Sequence, residues 1–141
     1  MGKINIGRVI LGGLAAGVVV NIFEGVLNVV VLADALAEAM RGLGKAGDFS
    51  GSQILFFNLL GFMVGIVAVW LYAAIRPRFG AGPGTAVRAG IATWLLFNLL
   101  PNIGLAAINL FPAKLVVVGM AVGIVELVLA ALAGAWLYRE E

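Results

Sequence analysis

Apolar residues run along this chain in four long blocks, each broken by only a few polar side chains. The first extends from about Ile6 to Leu32 and the second from about Gln53 to Ile75. The third extends from about Ala86 to Leu110 and the fourth from about Ala113 to Tyr138. About 20 mostly apolar residues cross the hydrocarbon core of a bilayer as a helix, so each block is long enough to span with some tilt. The blocks lack the period-2 alternation of barrel strands and are about twice as long. A helix also satisfies its own backbone polar groups in lipid. The pattern therefore predicts an all-α fold, an integral membrane four-helix bundle forming a single transmembrane domain over residues 1–141.

The connectors are unequal. The segment 33–52 holds Asp34, Glu38, Arg41, Lys45 and Asp48. Its first part, Ala33–Met40, reads as helix, and Gly42, Gly44 and Gly47 then end it. Arg76 to Gly84 reads as a short turn with two prolines, and Phe111-Pro112 as a tight one.

Composition agrees with the pattern. Of 141 residues, 63% are hydrophobic and 11% charged, against about 45–50% and about 25% in soluble domains. The chain has no Cys and no His. That excludes thiolate metal sites, Fe–S clusters and the usual haem and zinc ligand, and no cofactor is expected. A net charge of +2 is too weak and scattered for a nucleic-acid footprint. The expected partner is the lipid bilayer, with a homo-oligomer or a larger membrane complex as further candidates. Lys3 and Arg8 before an apolar run resemble a signal peptide. The run is too long, contains Glu24 and is followed by three more spans, so it reads as an uncleaved first span.

Basic residues set the expected direction. Lys3, Arg8, Arg76, Arg78, Arg88 and Arg139 fall on one side, against Arg41, Lys45 and Lys114 on the other. The richer side should be cytoplasmic, which places both termini there and the 33–52 connector outside. Trp70, Tyr72, Trp136 and Tyr138 fall where a cytoplasmic aromatic belt is expected.

The second half echoes the first. Gly13 to Asn21 aligns with Gly90 to Asn98, and Gly61 to Val67 aligns with Gly119 to Val125. These matches predict two repeated helical hairpins, the longer first connector absorbing the difference in offset.

Each span carries one stripe of small and polar residues at helical spacing. The stripes are Gly13, Gly17, Asn21, Glu24, Gly25 and Asn28; Asn58, Gly61, Gly65, Ala68 and Tyr72; Gly90, Asn98, Asn102 and Asn109; and Gly119, Gly123, Glu126, Ala130 and Ala133. Small residues let helix backbones approach closely in lipid, and polar ones hydrogen-bond across. The stripes should therefore face one another, with Val69 among the lipid-facing residues. Asn21, Asn98 and Glu126 fall near mid-span, Glu24 slightly outward, and Asn28, Asn58 and Asn102 in the outer half. On the cytoplasmic half the stripes are Gly and Ala, which predicts a polar pocket open or half-open outward and sealed inward.

Glu24 and Glu126 are the residues to single out. A charge at the bilayer centre costs roughly 2.5–3.5 kcal/mol on insertion scales, and no Lys or Arg lies at their depth. Each must be protonated, hydrogen-bonded to Asn, or neutralised by a bound cation. The candidate binding residues are thus Glu24, Glu126, Asn21, Asn98, Asn102 and Asn28. Against a ligand role stands a simpler one, in which the same groups cement helix packing. Pro101 frees a backbone carbonyl beside Asn98 and Asn102.

Arg8-Val-Ile-Leu-Gly-Gly-Leu-Ala-Ala-Gly-Val-Val-Val-Asn21, the Trp70-Leu-Tyr72 segment running to Gly80, and Ala133-Gly-Ala-Trp-Leu-Tyr138 resemble small four-span membrane proteins of bacteria of no known activity. The resemblance covers nearly the whole chain and implies a multi-pass protein of the inner (plasma) membrane. Three functions fit. One is binding and transport of a proton, cation or small polar solute through Glu24 and Glu126. The alternative is a non-catalytic accessory or assembly subunit of a larger membrane complex. The third, an enzyme using two carboxylates as acid and base, has no nucleophile or cofactor motif behind it.

Overall fold

The computed structural model describes residues 3–140, and its regular structure is all helical, with five helices among those residues. Helix α1 (Ile6–Val31) starts at Asn5, whose side chain accepts from the Arg8 N–H at 3.0 Å. Its last part, Val26–Val31, is wound as a π-helix. Leu32 breaks it, and α2 (Ala33–Gly42) follows without a buried residue. Helix α3 (Gly51–Phe79) is opened by a capping box between Ser50 and Gln53. Helix α4 (Pro83–Ala107) begins with Pro83 in its first turn and is π-helical over Leu95–Leu99. Helix α5 (Ala113–Leu137) completes the chain of elements. Of these, α1, α3, α4 and α5 are long and apolar enough to cross a membrane, as expected of a multi-pass membrane protein.

Two boundaries differ from the sequence reading. The second span continues through Pro77 to Phe79 instead of turning at Arg76. Proline in the last turn forfeits one backbone bond and can be tolerated, while Arg76 and Arg78 favour the negative helix end. Gly80, at φ 83°, then stops the helix. The third span ends at Ala107, so Asn109 falls in the following turn with φ 52°. It is exposed there rather than part of the inward stripe.

Helix α1 packs against α3 and α5, and α4 packs against α5 and α3. The contacts are made where side chains are smallest. A Cβ on Gly65 would lie 2.5 Å from the Gly13 carbonyl oxygen and against the Gly17 amide. One on Gly12 would lie 2.5 Å from the Gly134 carbonyl oxygen, and one on Gly90 2.7 Å from the Val128 Cα. Helix backbones are therefore in direct contact at three crossings, which in lipid is a main source of association.

Burial is lopsided along the helices. Ala16, Ala68, Ala86, Ala89, Ala130 and Ala131 are fully buried, all in the half nearer Tyr72 and Tyr138. In contrast, no residue of Gly51–Leu60 or of Leu95–Ala107 is buried. The Tyr end is also latched. The Tyr72 and Tyr138 rings meet edge to face at 5.9 Å. The Asn5 N–H donates to the Tyr138 hydroxyl at 3.4 Å, and the Gly82 N–H to the Tyr72 hydroxyl at 3.2 Å. Arg76 lies over the Tyr138 ring and 3.8 Å from the Glu140 carboxylate.

Val69 is not lipid-facing: it is 0% exposed, and its methyl groups fill the notch between Gly12 and Gly134. Helix α3 touches three other spans, so its buried face is wider than one stripe. Gly119 departs in the other direction, with open space where its Cβ would be.

These contacts set an order of sensitivity. Gly65→Leu should destabilise the fold by about 1–3 kcal/mol or more through overpacking, and Val69→Leu should also destabilise it. Gly119→Ala and the exposed Met63→Leu should leave the thermal unfolding midpoint in detergent unchanged. Equal tolerance of all four would contradict the packing described.

Candidate functional site

Away from the latched end the helices part and enclose a cavity of about 630 Å³. Asn21, Glu24 and Asn28 of α1 line it, with Asn98 and Asn102 of α4 and Glu126 of α5. All six residues singled out in the sequence thus border one space. Asn58 of α3 borders it as well. A smaller recess of about 200 Å³ shares Glu24, Asn28, Asn98 and Asn102.

Two asparagines hold the rim of this space in the same manner. The Asn21 side-chain amide on α1 donates to the Asn58 carbonyl on α3 at 3.1 Å. The Asn98 amide on α4 donates to the Gly119 carbonyl on α5 at 3.5 Å. Each asparagine sits over a glycine: the Cγ of Asn21 is 2.9 Å from where a Gly61 Cβ would be, and that of Asn98 2.8 Å from where a Gly123 Cβ would be. Glycine is needed at both places to admit the amide. The Asn102 amide folds back onto the Asn98 carbonyl at 2.8 Å, within the stretch where π winding and Pro101 disturb the backbone ladder.

The two carboxyl groups differ in their surroundings. Glu24 is half-buried, and the Asn28 amide donates to its Oε2 at 2.6 Å and to its backbone carbonyl at 3.0 Å. Glu126 is 3% exposed, and its Oε2 has no hydrogen-bond partner among the described residues. Glu24 lines the same cavity as Glu126. The Asn98 Oδ1 is also buried without a donor. No Lys or Arg is among the residues lining the cavity. A buried carboxyl without a donor or counter-charge is costly, so this cluster requires a proton, a cation, water or a donor-bearing ligand. No group of three or more His, Cys, Asp or Glu that could hold a metal ion occurs among the described residues.

The remaining lining is apolar and escaped sequence reasoning. Phe57 and Phe97 border the cavity, although both are exposed aromatics on apolar helices, a pattern that reads as lipid contact. Leu36 of α2 and Phe49 reach it from the connector. Only the proximity of Phe57 to Asn58 and of Phe97 to Asn98 could have signalled them.

Comparison of the chain with family models, with curated proteins and with solved structures gives no match.

The hydrogen-bond pattern separates the roles of these residues. Asn21→Ala removes an interhelical bond and should cost roughly 0.6–1 kcal/mol. Glu126→Gln replaces a carboxyl whose buried Oε2 has no donor, so its unfolding midpoint in detergent at neutral pH should equal or exceed that of the wild type. A loss of more than about 1 kcal/mol in Glu126→Gln would mean that the carboxyl has a stabilising partner.

Proposed function

We propose that this protein binds a proton, a cation or a small polar solute at Glu24 and Glu126 and carries it across the bacterial inner membrane. Asn21, Asn28, Asn98 and Asn102 complete the site. The observation that carries this reading is the buried Glu126 Oε2, without a donor among the described residues, in a carboxyl that lines one cavity with Glu24 among helices long and apolar enough to span a membrane. Ionisable groups at that depth mark ion and solute pathways.

The architecture proposed with it is a four-helix bundle of two repeated hairpins, with both termini cytoplasmic. The matched Asn–Gly contacts support the duplication. Residue numbers rise by 77 from Gly13 to Gly90 and from Asn21 to Asn98, and by 62 from Ile66 to Val128 and from Gly61 to Gly123. The second helices correspond one turn away from the register that pairs Gly61 with Gly119. In this orientation the cavity faces outward and the Tyr72–Tyr138 latch closes the cytoplasmic end. Rocking of one hairpin against the other would move access to the opposite face.

Two experiments test this. In liposomes under an imposed membrane potential, the wild type should carry protons, read by a pH indicator, or alkali or small organic cations, read by isotope uptake, above protein-free vesicles. Glu24→Gln and Glu126→Gln should fall to the protein-free rate while remaining folded, with Glu126→Gln unfolding at or above the wild-type temperature. Variants as active as the wild type would remove the carboxyls from the pathway, and an inactive wild type would favour the accessory-subunit reading. For direction, a reporter fused at the C-terminus should be active only in the cytoplasm, and one inserted in the 33–52 connector only in the periplasm. The reverse pattern would invert the bundle.

A further inference from the structure

We infer that the cavity is shaped for an organic cation, with an ammonium-type head group held between Glu126 and Asn98 and an apolar body lying toward the 33–52 connector. The inference rests on the carboxyl-site reading above and narrows its ligand class.

The polar floor of the cavity offers acceptors in excess of donors. Glu126 Oε2 and Asn98 Oδ1 are buried oxygens without a donor. Glu24 Oε2 has the Asn28 amide at 2.6 Å. The Asn21, Asn98 and Asn102 amides are turned onto backbone carbonyls. A ligand that fits this floor brings hydrogen-bond donors and positive charge, as an alkylammonium does. An anion would meet two carboxyls and no lining Lys or Arg.

The walls argue against a bare ion. Phe49, Ile54, Phe57, Phe97 and Leu105 form much of the remaining surface. These groups cannot replace the hydration shell of an inorganic cation, which takes about six to eight oxygen ligands for calcium. They can bury an apolar body, and aromatic rings attract a nearby organic cation. The volume agrees: about 630 Å³ falls within the roughly 300–1,000 Å³ of small-molecule pockets. A proton alone requires no such space. The charge also balances, since one monovalent cation neutralises one carboxyl and leaves the other free to keep a proton.

The test uses purified protein in detergent, titrated calorimetrically with 2-phenylethylammonium chloride. The uncharged 2-phenylethanol and sodium chloride are titrated in parallel. The expected result is one bound 2-phenylethylammonium per chain, about tenfold or more tighter than the alcohol, as the loss of a charge-assisted bond implies. Glu126→Gln should erase that preference, and Phe57→Ala, at a half-exposed position, should weaken the amine while keeping the preference. Sodium should not displace the amine. Equal affinity for amine and alcohol, displacement by sodium, or unchanged preference in Glu126→Gln would each overturn the inference. Carboxyl-dependent flux without amine binding would overturn it while sparing the broader reading; loss of both would end the two together.

Discussion

Lipid tails are as apolar as leucine, so burial of apolar surface does little to bring helices together in a bilayer. What remains is close packing, and here it comes from backbones that touch. Gly65 is set against Gly13 and Gly17, Gly12 against Gly134, and Gly90 against Val128. Every other feature depends on these crossings. They fix α3 and α5 against α1, and α4 against α5, within one half of the helix length. Val69, Ala16, Ala68 and Ala130 then fill the space left between them.

The opposite half follows from the same constraint by its absence. Beyond Val20, α1 presents Asn21, Glu24 and Asn28; beyond Thr93, α4 presents Phe97, Asn98 and Asn102. Side chains of that size keep backbones apart. In both helices the π-helical stretch falls in this half, where fewer neighbours enforce regular winding. The polar groups therefore meet across a gap instead of across a tight interface, and Glu126 is left facing it without a donor. One end is latched by Tyr72 and Tyr138 and the other is parted around two carboxyls, so the helix set is asymmetric from end to end.

Much of this was legible in the sequence because lipid imposes strict terms. Predominantly apolar blocks of span length have few alternatives to helix, and a polar stripe at helical spacing has few places to go but inward. That is why the angles and depths of Asn21, Glu24, Asn98, Asn102 and Glu126 brought them to one cavity. Features that depend on how many neighbours a helix has were not legible. Val69 reads as lipid-facing beside a single stripe, yet α3 lies against three helices. Gly119 shares a stripe with Gly123, yet only Gly123 lies under the Asn98 amide. Phe57 and Phe97 are indistinguishable from lipid-facing aromatics until the gap is seen. Asn109 continued the stripe on a wheel, but the helix ends two residues earlier.

The two halves of the helix set differ: a sealed layer of small residues lies at one end and a cavity lined in part by Leu36 and Phe49 of the connector at the other. The 141 residues include no cysteine, so an introduced thiol is the only one present. The direct measurement is labelling of single-cysteine variants by a membrane-impermeant thiol reagent in vesicles of both orientations. Leu105→Cys, in the cavity wall, should react only from the face bearing the 33–52 connector. Ala68→Cys and Ala89→Cys, in the fully buried layer, should resist labelling from either face. Labelling of Leu105→Cys from the opposite face, or of the buried pair as readily as Leu105→Cys, would contradict the account.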